Sequence, residues 1–445
     1  MSLQIARVKG IPIKIHFTLI IVFVLVSWTL ASGTMPRYFP NLYPPSYWIM
    51  GISGAFILFF SVLLHELAHS ILSLRYGLGV RQIILFIFGG VSDIKKETKD
   101  YRREFKIAVI GPITSFALAA IFGLAWLLLI QVGGENALPM APSTTQDITE
   151  TNAEEISTVQ RKTTNELQAL PMMSGIMIYA SIVNALLGFF NLIPAFPLDG
   201  GRMLRAGLVK WKKSYNEATR IAVRIGIGIS FGLMAFGFIT IFTGSTLGGF
   251  WFIIIGWFIQ SGAQTYLQQL EISTALVGVR LKDIMNTGIV SVNQNQTVAQ
   301  VLKDYFNIYR KSEFPVLDDE GHLIGAITSQ QAMNVVENDA ENVRVDKIMI
   351  PNKELVIMNA SSRADEALKR IYQENKNRIF VCEDKDYAIV REQQQQQQQD
   401  NISKNNDRVS PADTGIKVKL LGIISKTDLL NIAREREEFE RVANK

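Results

Sequence analysis

Six apolar runs, each close to the roughly 20 residues a helix needs to cross the hydrocarbon layer of a bilayer, fill the first part of this chain. They are 15–32, 47–74, 105–132, 172–198, 221–243 and 247–267. A water-soluble core does not absorb so many long apolar helices. The sequence therefore predicts a multi-pass α-helical membrane domain of six transmembrane helices over residues 1–270. Charge divides at the same place. Residues 1–270 carry 21 Lys+Arg against 13 Asp+Glu, whereas residues 271–445 carry 24 against 27 and read as a soluble α/β domain with its own core. The single cysteine, Cys382, excludes an intramolecular disulfide framework. The basic excess belongs to the membrane part, so the lipid bilayer is the expected surrounding and no nucleic acid the expected partner.

Loop charges set the orientation. Arg7, Lys9 and Lys14 precede the first run. Arg75, Arg81, Lys95, Lys96, Lys99, Arg102, Arg103 and Lys106 crowd the second loop, and Arg202, Arg205, Lys210, Lys212 and Lys213 the fourth. The first loop has Arg37 alone, and the third, 133–171, is long and acidic, with only Arg161 and Lys162. Basic and poor loops alternate as six crossings require, which puts both termini on the cytoplasmic side of the cell membrane. The first run is too long for a signal-peptide core and is read as an anchor that stays. Segment 80–91 is apolar, too short to span, and rich in β-branched and aromatic residues. It reads as strands or a re-entrant loop, which at that depth must be shielded by protein or water.

The soluble part contains a weak internal repeat. One copy, 276–340, runs from LKDIM through GIVSV and TVAQVLKDYFNIY to LIGAITSQQAM; the other, 341–437, runs from VDKIM through ELVIM and SRADEALKRIYQE to LLGIISKTDLL. Residues 391–416, with a glutamine tract at 393–399, are an insertion of low complexity in the second copy, expected to be disordered.

Chemistry concentrates in the second run, at His65-Glu66-Leu67-Ala68-His69. Positions i and i+4 share a helix face, so both imidazoles can bind one metal ion with Glu66 beside them. Zinc suits such a site: it takes neutral imidazole nitrogen and lowers the pKa of a bound water, whose proton a glutamate can accept. Three ionisable side chains inside a spanning helix cost at least about 2.5–3.5 kcal/mol each at its centre, and the chain has only four histidines in all. His16 and His322 need no special role. A third ligand is sought at the end of the fourth run, where Asp199 is the only carboxylate between Gln168 and Arg205, and Pro194 and Pro197 break the helix before it. The residues alone leave two roles open for Asp199: metal ligand, or helix cap beside Arg202.

The sequence from His65 to His69, taken with Asn191, Pro194, Leu198, Asp199 and Gly200, resembles the paired HExxH and NxxPxxxLDG signature of the site-2 protease family of intramembrane zinc metalloproteases. Phe88-Gly89-Gly90, and Gly111-Pro112 with Ser115, are similar to further blocks of that family. The resemblance implies one Zn2+ per chain held by His65, His69 and Asp199. It also implies Glu66 as general base, Asn191 as a hydrogen-bond donor to substrate or developing oxyanion, and membrane-anchored proteins as substrates. The soluble repeat resembles a tandem pair of cystathionine-β-synthase-type (CBS) domains, which in their family often bind AMP or ATP. That resemblance implies a nucleotide contact at Gly422, Ser425 and Asp428; the first copy has Gly325 and Thr328 but Gln331 in place of the acid. A structural pair that docks or forms a homodimer is the competing expectation. The alternative for the whole chain, a transporter or channel gated by the paired domains, would use Glu66 and Asp199 for ion passage. The spans, however, show no inverted repeat.

Overall fold

The computed structural model describes residues 2–383 and 418–443, apart from 41, 88, 96–97, 134–156, 213, 245 and 336–339. The insertion expected at 391–416, Phe88 and most of the third loop lie outside the described residues. The chain forms two compact units, Met1–Leu267 and Gln268–Lys445.

The first unit opens with a feature the hydropathy pattern conceals. Strands β1 (Ser2–Val8) and β2 (Ile11–His16) form an antiparallel hairpin closed by Lys9 and Gly10, both with positive φ (48° and 82°). Two such residues make the turn whose twist matches that of paired strands. Ile15 and His16 therefore belong to a strand, and the first expected span starts later, with helix α1 (Thr18–Thr29), whose apolar stretch runs on to Tyr38. Helix α2 (Pro44–Arg75) starts with prolines in its first turn, where no backbone donor is lost. Segment 80–91 resolves into strands: β3 (Val80–Phe86) pairs antiparallel with β4 (Gly89–Ile94) and parallel with β2. The sheet order is β1-β2-β3-β4, with β4 at one edge. Its apolar face, with Ile11, Ile83 and Leu85 buried, packs on Val62 and Leu58 of α2.

Helices α3 (Tyr101–Gly133), α4 (Ser157–Leu192), α5 (Asp199–Lys212), α6 (Tyr215–Phe242) and α7 (Thr246–Ala275), the last of which ends in the second unit, follow. Two expectations shift. Residues 157–171, read as loop, extend α4, and α4 stops at Leu192 rather than at 198 because Pro194 and Pro197 follow. Five helices among the described residues are long and apolar enough to cross a membrane: Thr18–Tyr38, Pro44–Arg75, Tyr101–Val132, Ala169–Leu192 and Tyr215–Phe242. The sixth expected span falls within α7, whose later turns give way to glutamines. Large apolar side chains such as Ile20, Trp28, Phe56, Leu128 and Phe242 point outward, as lipid-facing residues must and water-facing ones rarely do in such number.

One charged pair is buried beneath this apolar shell. Arg205 of α5 donates to Glu104 of α3, with Nε at 2.8 Å, and also to the Tyr266 hydroxyl of α7. The guanidinium lies 5.1, 4.6 and 5.4 Å from the ring centres of Phe196, Tyr215 and Tyr266. This cluster ties the start of α5, where Asp199 sits, to three neighbouring helices.

The second unit holds two sheets. Strands β5 (Val292–Asn293), β6 (Glu313–Leu317), β7 (Leu323–Thr328) and β8 (Ile350–Pro351) form one, in that order; β9 (Ile357–Asn359), β10 (Arg378–Cys382) and β11 (Leu420–Ser425) form the other, ordered β11-β10-β9. Helices α8 (Ala364–Glu374) and α9 (Lys426–Ala443) belong to the second copy. The cores do not follow sequence order. Leu276, Val279 and Leu281 pack among Val356, Leu368, Ile371 and Ile424, while Ala340 and Val345 pack among Val292, Val298, Phe314 and Ile327. β8, which precedes the second copy's sheet, pairs with β7 of the first. Each copy thus lends its leading segment to the other, an exchange that alternating apolar patterns cannot reveal.

Candidate metal centre

Helix α2 brings His65 and His69 to one face four residues apart, and both are buried, each 3% exposed. Their rings meet edge to face with centroids 4.9 Å apart. The chain break after α4 delivers the third group. Pro194 and Pro197 end the helix, and α5 restarts at Asp199, so the carboxylate stands in a first helical turn where negative charge is favoured. Asp199 Oδ2 lies 3.1 Å from His65 Nε2 and 3.0 Å from His69 Nε2. This geometry puts the three side chains in one buried cluster, with Asp199 also at the first position of α5.

The remaining ring nitrogens are held from α3. His69 Nδ1 donates to the Ile107 carbonyl at 2.6 Å, and His65 Nδ1 shares a 2.9 Å hydrogen bond with the Ser115 hydroxyl. A carbonyl only accepts, so His69 carries a proton on Nδ1, which makes Nε2, the nitrogen facing Asp199, the one available to a metal. A partner that fixes the tautomer in this way is typical of metal-binding imidazole. Two neutral nitrogens and one carboxylate oxygen are a donor set that zinc accepts. Their ligand atoms lie within 4.8 Å of one another, and the 3.0–3.1 Å separations are near the roughly 3.3 Å edge of a tetrahedron with bonds of about 2.0–2.1 Å. Gly111 confirms how closely α3 covers the group: a Cβ there would stand 2.1 Å from His69 Nε2 and 2.6 Å from His65 Nε2. The residues fit the metal.

A profile for peptidase family M50 matches residues 53–233, which include all three side chains, and a CBS-domain profile matches residues 281–338. Rip3 of Mycobacterium tuberculosis, a relative named as a zinc metalloprotease, is 30% identical over 356 residues, covering 79% of this chain and 80% of its own length. The chain belongs to peptidase family M50. A second family member, the zinc metalloprotease MJ0392 of Methanocaldococcus jannaschii, is 27% identical over 443 residues and aligns over 99% of both chains. The solved site-2 protease of that organism is 27% identical, covering 60% of this chain and 95% of its own, with a TM-score of 0.35. As an M50 peptidase with a CBS domain, the chain is a membrane-embedded zinc metalloprotease, and zinc is its family's metal.

The other expected residues are placed as follows. Glu66 adjoins His65 on α2, and its Oε2 accepts from the Ser92 hydroxyl of β4 at 2.6 Å. Asn191, in the last turn of α4, donates its amide to the Leu187 carbonyl at 2.9 Å, so its side chain is turned back on its own helix. Ser425 and Asp428 stand at the start of α9: the Ser425 hydroxyl donates to Asp428 Oδ2 at 2.7 Å and accepts from the Asp428 amide at 3.1 Å. Thr328 and Gln331 make the same reciprocal box in the first copy. The repeat motif therefore has a helix-capping use in both copies. Gly422 packs against Met285, whose Sδ is 2.6 Å from where a Cβ would be. Asp318, Glu320 and His322 also bring ligand atoms together, on a partly exposed turn where carboxylate oxygens 3.4 and 3.5 Å from His322 Nδ1 act as ordinary surface partners. The sequence reading passed over Ile107 and Ser92. Ile107 acts through its backbone and leaves no side-chain signal. Ser92 could have been noticed as the polar residue two positions past Gly90, on the same strand face.

Proposed function

We infer that this M50 peptidase hydrolyses peptide bonds inside the membrane-spanning segments of membrane-anchored proteins. His65, His69 and Asp199 hold the zinc, and Glu66 is the general base. The observation that carries the reading is the convergence of the Asp199 carboxylate on both Nε2 atoms, at 3.1 and 3.0 Å, within an apolar bundle. Bound zinc would supply Lewis acidity to the scissile carbonyl and make a nearby water a better nucleophile. Glu66 accepts the proton of the attacking water and passes it to the leaving amine. Asn191 supplies its amide to the substrate carbonyl as charge develops there, which requires it to release the Leu187 carbonyl. The edge of β4, which has no further strand partner among the described residues, would hold the unwound substrate by strand addition.

The alternation of basic and poor loops supports cytoplasmic termini and entry of water from that side. Residues 276–340 and 341–437 act as a CBS pair; Gly422, Ser425 and Asp428 are its nucleotide contacts for AMP or ATP, and a homodimer through these domains completes the reading. The test of the catalytic assignment is Glu66→Gln. It should keep one zinc per chain and lose cleavage of a membrane-embedded substrate, and full turnover in that variant would overturn the assignment.

A further inference from the structure

The edge strand β4 does more than border the sheet. Residues alternate between faces along a strand, and Gly90 and Ser92 share the face toward α2 while Val91 points away and is 49% exposed. Both facing positions touch Glu66. At Gly90 a Cβ would stand 2.5 Å from Glu66 Cγ, so only glycine leaves room for that side chain. At Ser92 the hydroxyl lies 2.6 Å from Glu66 Oε2 and 3.1 Å from the Glu66 carbonyl. Ser70, fully buried one turn further along α2, donates its own hydroxyl to Ser92 Oγ at 3.0 Å. Ser92 Oγ thus accepts from Ser70 and donates to Glu66, whose carboxylate oxygen at 2.6 Å is the nearer acceptor and whose carbonyl at 3.1 Å is the second. Short bonds to a carboxylate are the strong ones, and this one engages a single carboxylate oxygen, Oε2.

We propose that Ser92 is the positioning residue of the general base: through the relay Ser70 to Ser92 to Glu66 it fixes the orientation of the carboxylate relative to the strand along which substrate is added. The proposal rests on Glu66 being the base. The strand that presents its free edge to substrate backbone is the strand that grips the base, so the scissile bond and the proton acceptor take their register from one element. The Ser92 hydroxyl bonds Glu66 and Ser70 and none of His65, His69 and Asp199, so its side chain acts through Glu66.

The experiment compares Ser92→Ala and Ser92→Thr with wild type and with Glu66→Gln in the full chain. The probe is a single-span fluorescent reporter whose apolar helix is interrupted by a central Asn-Gly pair. Loss of a hydrogen bond to a charged group corresponds to roughly a 10- to 100-fold effect. Ser92→Ala should lower kcat by that factor with KM and zinc content unchanged, and Ser92→Thr, which keeps the hydroxyl, should restore most of it. A readout independent of turnover is the infrared carboxylate band obtained by subtracting the Glu66→Gln spectrum. It should shift in Ser92→Ala and not in Ser92→Thr. An unmoved band, unchanged kcat, equal loss in both variants, or loss of zinc in Ser92→Ala would each overturn the positioning role. Retained activity in Glu66→Gln would instead remove the general-base reading itself.

Discussion

Replacing Gly111 with alanine places a methyl carbon between α3 and the two imidazoles. Built on the present backbone, it would stand 2.1 Å from His69 Nε2 and 2.6 Å from His65 Nε2, against ordinary contacts of about 3.5–4.0 Å. No flexible side-chain end is available to give way, because both rings are held at Nδ1 from the same helix. Either α3 retreats or the rings turn away from Asp199. Overpacking of this kind costs about 1–3 kcal/mol, and because the clash falls on the ligand atoms it should appear as a roughly 5- to 150-fold loss of zinc affinity. The assay is competition for zinc against a chelator of known affinity, with circular dichroism to check that the helices persist. Gly207→Ala, at a position with nothing within 4 Å of the added carbon, is the matched control and should bind zinc as wild type does. If Gly111→Ala also holds zinc with unaltered affinity, the three side chains do not form the metal site described.

Three further outcomes follow from named contacts. Asn191→Ala should keep its zinc while kcat falls about 100- to 1000-fold, the scale of a lost oxyanion donor; loss of metal, or unaffected turnover, would remove Asn191 from that role. Glu104→Gln or Arg205→Met alone should lower stability by about 3–5 kcal/mol, because each leaves a buried charge without its partner, whereas the double replacement should cost less than the sum of the two when detergent-solubilised protein is melted. Isothermal calorimetry of the full chain with AMP and ATP should give binding heat that Asp428→Ala abolishes; no heat from either nucleotide would leave Ser425 and Asp428 as a helix cap alone.

The sequence made part of this site readable and hid the rest for identifiable reasons. His65, Glu66 and His69 follow from helical periodicity, since the i, i+4 rule is local. Asp199 was ambiguous because its role depends on where a break of six residues, 193–198, redirects the chain. The prolines announce the break but not its direction. The hairpin of Ser2–Val8 and Ile11–His16 was invisible because its second strand merges into an apolar run, and the only local mark is Lys9-Gly10. Strand character at 80–91 was legible from β-branched residues, yet its parallel pairing with β2 spans about 70 residues of sequence, as in Ile13 with Ile83, and no local pattern encodes that. The same holds for the exchanged segments of the second unit, where Leu281 buries itself beside Ile371 and Ile424.

Anomalous diffraction at the zinc absorption edge, from crystals of the full chain, tests the central claim most directly. The account predicts one strong peak per chain within about 2.0–2.2 Å of His65 Nε2, His69 Nε2 and an Asp199 carboxylate oxygen. A peak elsewhere, or an Asp199 side chain turned away from both rings in the zinc-loaded protein, would contradict it.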